Sequence, residues 1–275
     1  MDNLQYRNIH PLKHFRECLA HNVRPDGRQL MKVRPATVNV GSIGTADGSA
    51  VVKVGRTSVV CGIKAELTAP KPSHPDVGFL VPNVDLPPLC SLAFRPGPPS
   101  DVAQSMTSML NSIVASCGLV DLKQLCVSKE HLVWILHCDI VCLDYNGSVM
   151  DAVLIALVAA LRTVELPHVS YCEETKSFSV DLKQRRPLSV ASWPVSTTFA
   201  TIDETNIIAD PTVEEERLSN GSIIVVTDGT RLFSINKPGG TAYSETDLQK
   251  CISLAKDRAI NINKMLETAL NNREQ

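Results

Sequence analysis

The residues best suited to chemistry lie in one stretch, Ile207-Ile208-Ala209-Asp210-Pro211-Thr212-Val213-Glu214-Glu215-Glu216. A short apolar run ends in an aspartate, and three consecutive glutamates follow one turn later. Carboxylates that converge at a strand end can hold a divalent metal or handle a proton during phosphoryl transfer. The same spacing also serves a plainer purpose: an Asp-Pro turn closes a strand, and acids fill the first turn of a short helix, where the dipole favours them. Phosphoryl chemistry needs more than acids. It requires cations or N–H groups that hold the phosphate.

Such groups are scarce. The segment 101–116 (DVAQSMTSMLNSIVAS) contains no Lys or Arg. Gly41 and Gly44 make only a GxxG at a strand end, and neither a Walker pattern nor GxGxxG occurs. Arg95, in Phe94-Arg95-Pro96-Gly97, is the best single loop cation. Lys183, Arg185 and Arg186 form the one dense basic cluster, suited to a modest, salt-sensitive phosphate contact or to a solvated linker. His10 and His14 lack a third metal ligand. His131 and His137 fall in an apolar run and read as satisfied core histidines. No GxSxG or other nucleophile context surrounds a Ser or Cys. The nine cysteines are scattered without a CxxC pair, which argues against a zinc ribbon and for a reducing compartment. No metal and no cofactor are expected.

Across 275 residues the net charge is −2, with 44% hydrophobic and 20% charged residues. There is room for a sizeable core in one large domain or two lobes. No global basic field advertises nucleic acid, so any RNA contact must be local. The first residues show no apolar signal region, and the longest apolar run, Ala152 to Leu161, has ten residues, about half of what a membrane helix needs. The expectation is a soluble intracellular chain.

The elements that must position these residues follow from pattern. A short amphipathic helix over 10–21 ends near the turn Arg24-Pro25-Asp26-Gly27. Strands Thr37–Ile43, Ser49–Val54 and Ser58–Glu66 form a meander, its second turn the two-residue Gly55-Arg56. Nine prolines between Ala69 and Ser100 leave mostly extended loop around a strand at Gly78–Asp85. A helix over Asp101–Ser116 is capped by Ser100 or Asp101. His131–Asp144 alternates too little for a half-exposed strand and reads as buried on both faces. Asp151 can cap an all-apolar helix to about Val164, which must lie in a core. The segment 168–193 reads as a connection containing a hairpin. Strands Val195–Ala200, Asn206–Asp210, Ser222–Asp228 and Arg231–Asn236 follow, and Ser244-Glu245-Thr246-Asp247 opens a last helix to about 270. Strands then helices, twice, suggest two similar lobes.

Several segments in order carry a resemblance: Arg24-Pro25-Asp26-Gly27-Arg28, Ala46-Asp47-Gly48-Ser49-Ala50, Val54-Gly55-Arg56-Thr57-Ser58-Val59, Asn83-Val84-Asp85-Leu86-Pro87-Pro88, Gly97-Pro98-Pro99, Asp144-Tyr145-Asn146-Gly147, Asp151-Ala152, and Asp210-Pro211-Thr212 with Glu214-Glu215. Over nearly its whole length the chain resembles RNase PH-like proteins, most of all the RNase PH-like ring subunits of the eukaryotic RNA exosome. The resemblance implies an α/β (α+β) RNase PH-like fold of two β–α lobes, each with a mixed sheet and packed helices. These would be an N-terminal arm at 1–30, lobe one at 31–167, a connection with a hairpin at 168–194, and lobe two at 195–275. It further implies other ring subunits, RNA-binding cap subunits and an associated 3′→5′ exoribonuclease as partners, with RNA threaded through the ring, in nucleus, nucleolus and cytoplasm.

The departures decide the activity expected. Active members place a further aspartate where this chain has Leu218-Ser219-Asn220-Gly221-Ser222. Related subunits carry RNA-binding arginines on the helix after Gly-Pro-Pro, and here that helix is uncharged beyond Asp101. The resemblance therefore implies a non-catalytic subunit in which Asp210, Glu214 and Glu215 are remnants of a site. Arg95 is carried over as an RNA contact, with Lys183, Arg185 and Arg186 behind it. The alternatives are an active phosphate-dependent 3′→5′ exoribonuclease using Asp210 and Glu214, or an unrelated α/β metal-dependent enzyme.

Overall fold

A computed structural model describes residues 9–172, 177–203 and 206–272. Helix α1 (Pro11–Ala20) leads into an antiparallel meander of β1 (Ala36–Val40), β2 (Gly48–Val54) and β3 (Thr57–Thr68). β6 (Leu132–Asp144) pairs antiparallel with β3, and β4 (Phe79–Asp85) lies parallel to β6. The parallel pair needs a long crossover. Helix α2 (Asp101–Cys117) supplies it, capped by Ser100, whose hydroxyl accepts from the Ala103 N–H at 3.3 Å. The first sheet runs β1-β2-β3-β6-β4, with the short β5 (Cys126–Ser128) beside β6.

Helix α3 (Val149–Leu161) follows, then a separate hairpin of β7 (Glu165–Cys172) and β8 (Ser177–Pro187). The second half comprises β9 (Val195–Ile202), β10 (Asn206–Ala209), α4 (Val213–Leu218), β11 (Gly221–Thr227), β12 (Leu232–Asn236) and α5 (Glu245–Asn271). Its sheet order is β10-β9-β11-β12. A mixed sheet was expected in both lobes, yet this one is antiparallel throughout. The crossover through α4 carries the chain past β9, so β10 and β11 run the same way without becoming neighbours. Ser244 caps α5 as its sequence predicts, accepting from the Asp247 N–H at 3.1 Å.

Every residue of α3 is buried. An all-apolar helix satisfies its backbone internally and can be covered on all sides. It packs on β2 and β3 of the first sheet and on β9 of the second, and β9 is itself buried at every position. The helix is thus the layer shared by both lobes. Asp151 is not its cap: Ser148 holds the N-cap position, and Asp151 lies one turn inside with no exposure.

β6 corrects another expectation. Trp134, Leu136, Cys138, Ile140 and Cys142 are buried, while the residues between them are half-buried or exposed. Alternation is hidden in the sequence because the outward positions include Ile135, Val141 and Leu143. His131 is exposed and stacks on Tyr171 at 5.1 Å, and the His137 side chain is 40% exposed, so neither is a core histidine.

Because α3 is clamped between two sheets, its cavities cannot collapse. Leu154→Ala, at a position with 0% exposure, is expected to cost about 2–5 kcal/mol in denaturant unfolding. A loss below about 1 kcal/mol would mean the helix is not held from both sides.

Candidate functional site

The acids singled out in the sequence meet at the junction of the two lobes, where Asp210 and Glu215 are buried away from water. Asp210 ends β10 in the left-handed region (φ 52°), a conformation that aspartate tolerates better than most residues, and has 0% exposure. Arg34 engages it fully: the backbone N–H reaches Oδ2 at 2.7 Å, Nε reaches Oδ2 at 2.8 Å and Nη2 reaches Oδ1 at 2.6 Å. The same guanidinium donates to the Asn146 and Gly147 carbonyls at 2.8 and 3.2 Å, on the turn that enters α3. Arg28 adds a contact from Nη1 to Asp210 Oδ2 at 3.2 Å and is steadied by Asp26 at 2.6 Å.

Glu215 is equally committed. The buried Arg24 guanidinium pairs with both of its carboxylate oxygens and donates to the Ala209 and Asp210 carbonyls at 2.7 and 3.0 Å. Glu215 also accepts from the Thr212 N–H at 2.8 Å, which anchors the start of α4. Glu216 accepts from the Ser148 N–H at 2.7 Å and from the Tyr145 hydroxyl at 3.2 Å. It therefore occupies the N-terminus of α3, where exposed N–H groups and the helix dipole favour an anion. Only Glu214 is exposed.

A second buried pair sits behind the first. Asp151 accepts from the Thr198 hydroxyl at 2.8 Å and N–H at 3.2 Å, and pairs with Arg258 of α5 at 2.5 Å. Burial pushes the Asp151 carboxyl above its ordinary range against the pull of Arg258, and the nearby Asp210 charge adds to the rise. Asp210 goes the other way: burial raises it, but the hydrogen bonds and charge of Arg34, helped by Arg258, outweigh burial and hold it low. Burial raises Glu216, partly offset by Ser148 and Tyr145.

Backbone fit completes the junction. A methyl group added at Gly147 (φ +79°) would come within 2.7 Å of the Pro211, Thr212 and Val213 backbone. The lobes touch main chain to main chain there.

Beside the lock lies a cleft of about 620 Å³ between α1, the Gly55-Arg56 turn and α4. Arg56 and Arg217 on its walls are balanced by Asp26 and Glu214. It does not present the one-sided cationic field that a phosphate cradle requires. Among the described residues there is no group of three or more His, Cys, Asp or Glu side chains placed to hold a metal. Arg95 is exposed on the proline-rich loop, and Lys183, Arg185 and Arg186 are exposed on β8. None of these four lines the cleft or joins the lock.

Sequence reasoning missed Arg24, Arg28, Arg34, Arg258 and Glu216, and gave Asp151 a capping role. The available signal was the run of three arginines ahead of the first strand. Nothing local indicated that their partners lay nearly 200 residues away.

Residues 32–167 match domain 1 of the 3′ exoribonuclease family (RNase PH), and residues 192–258 match its domain 2. The chain is similar to the exosome complex component rrp43 of Schizosaccharomyces pombe, 36% identical over 254 residues, covering 92% of this chain and 94% of that protein. It is similar to the exosome complex component Rrp42 of Pyrococcus furiosus, 35% identical over 261 residues with 94% of each covered. Among solved structures it resembles a chain of the Archaeoglobus fulgidus exosome with RNA bound to the active site. There the TM-score is 0.81 at 29% identity, over 92% of this chain and 96% of that one.

Two expectations follow from the lock. Arg24→Met leaves Glu215 buried and unpaired and should cost about 3–5 kcal/mol. Adding Glu215→Leu should restore most of it, less about 1 kcal/mol for the lost cap. Denaturant unfolding of both variants checks this, and a double variant as unstable as the single would refute it. Asp210 has a depressed folded pKa, so its contribution is complete above the unfolded value of about 3.9 and is lost as pH falls through the lower folded value. Unfolding free energy should therefore drop with acid below about pH 4, and the drop should be smaller in Asp210→Asn.

Proposed function

The chain belongs to the 3′ exoribonuclease (RNase PH) family, and from that premise we propose that it is a non-catalytic structural subunit of an RNA exosome core ring. In this reading it supports 3′→5′ RNA processing and degradation by helping to form the channel through which RNA is threaded. Its partners are other RNase PH-like ring subunits, RNA-binding cap subunits and an associated exoribonuclease. Its sites of action are nucleus, nucleolus and cytoplasm. The likeness to rrp43 and Rrp42 along nearly the full length of each supports the assignment to such an assembly.

One observation carries the non-catalytic reading: every anion-handling group at the acidic box is already used within the fold. Asp210 is saturated by Arg34 and Arg28 and has no free lone pair aimed at solvent. Glu216 fills the helix terminus that could have received a phosphate. The segment Leu218–Ser222 supplies no second aspartate. A metal or a proton could reach Asp210 only by breaking a buried ion pair, at a cost of several kcal/mol. Arg95, exposed and on a loop, is the position proposed to touch RNA in the ring.

The purified full chain, incubated with single-stranded RNA, inorganic phosphate and Mg²⁺, should release no nucleoside diphosphates. Asp210→Ala should instead lower stability and entry into the ring, read by native mass. Phosphate-dependent release that Asp210→Ala abolishes would establish the active-exoribonuclease alternative in place of this reading.

A further inference from the structure

We propose that Lys183, Arg185 and Arg186 at the base of the β7–β8 hairpin, with Phe178 toward its tip, form a contact site for the phosphate backbone of single-stranded RNA. The register of the hairpin is the starting point. Between Pro167 and His168, β7 advances by one residue, whereas β8 passes from Arg185 to Asp181. Residues 182–184 therefore have no partner across the pair and form a bulge. A bulge bends its strand and re-aims side chains, and bulges recur where a strand must present groups to a ligand.

The three cations are exposed, and none has an ion-pair partner among the described residues. Asp181 accepts from the Lys183 N–H at 2.9 Å. Asp47 and Glu165 line a small cleft of about 170 Å³ with Arg185, but Asp47 accepts from the Ala65 N–H at 2.9 Å and neither acid ion-pairs with the arginine. The contrast with the lobe junction is sharp, since the arginines there are matched to carboxylates. A cationic trio with no ion-pair partner among the described residues is open to an external polyanion.

The hairpin also offers stacking surface. It has two strands only, an arrangement that is marginal by itself in water, and the His131–Tyr171 stack ties it to the β5–β6 turn. Phe178 and Val180 are left 54% and 41% exposed. Basic residues along a strand with an aromatic further along it suit an extended single-stranded nucleic acid, whose phosphates pair with the cations while a base stacks on the ring. A protein partner would favour a wider apolar patch than these two side chains provide. The site rests on the proposed ring role, because the ring is what brings RNA to this surface.

The test compares wild type, Lys183→Glu/Arg185→Glu/Arg186→Glu and Phe178→Ala, each as the isolated full chain and in a ring reconstituted with the other subunits. Binding of a labelled oligouridylate is measured across salt concentrations, and native mass follows assembly. Three phosphate contacts predict that the triple variant's plot of log K against log salt is shallower by about 2, with single-strand contacts worth about 0.7 each. Phe178→Ala should weaken binding by roughly fivefold or more without changing that slope. An unchanged slope in a ring that still assembles would overturn the proposal. So would a triple variant that no longer enters the ring, because the hairpin would then be a protein contact. If wild type itself forms no ring, the ring role fails, and the slopes of the isolated chains still decide the hairpin.

Discussion

Asp210 is removed from water altogether, and matching its charge governs how the rest of the molecule is arranged. A buried carboxylate is tolerated only when ion pairs and hydrogen bonds replace its hydration. Arg34 does this from the segment ahead of β1, while its remaining donors fasten the turn that enters α3. One guanidinium thereby connects the first lobe to the second. Arg24 repeats the arrangement with Glu215, and Arg258 does so with Asp151 on the far side of α3. Such pairs add little net stability over apolar packing, but a pair broken on one side leaves a costly buried charge. The apolar core around α3 holds the lobes together. The ion pairs set how they face each other, a division of labour that Gly147 reinforces by admitting main chain against main chain.

This economy bears on activity. Catalytic carboxylates need free lone pairs and access to substrate; Asp210 and Glu215 are buried and paired, whereas Glu214 is exposed. Glu216 illustrates the point best: its carboxylate sits on the Ser148 N–H at the start of α3, so the protein supplies its own anion. Arg95 on its proline-rich loop and the cations of β8 lie exposed away from this junction.

Much of the fold was legible in the sequence because it depends on local chemistry. The Gly55-Arg56 turn, the Ser100 and Ser244 caps and the all-apolar helix each announce themselves within a few residues. The difficulties arose where burial depends on what packs above. β6 reads as apolar on both sides, yet only one face is fully covered: Ile135 and Val141 are half-buried and Leu143 is exposed. The second sheet is antiparallel because the α4 crossover passes β9 instead of landing beside β10, which no single segment reveals.

The sequence by itself determined the elements, their order, the likeness to RNase PH-like proteins, and the shortage of cations free to hold a phosphate. Only the tertiary structure decided what the acidic box does. A run of carboxylates has one meaning in water and another when long-range contacts remove it from water. Whether it is removed depends on Arg24, Arg28 and Arg34 arriving from the opposite end of the chain. Periodicity and turn chemistry act over a few residues, whereas the pairing of a buried charge is settled by topology.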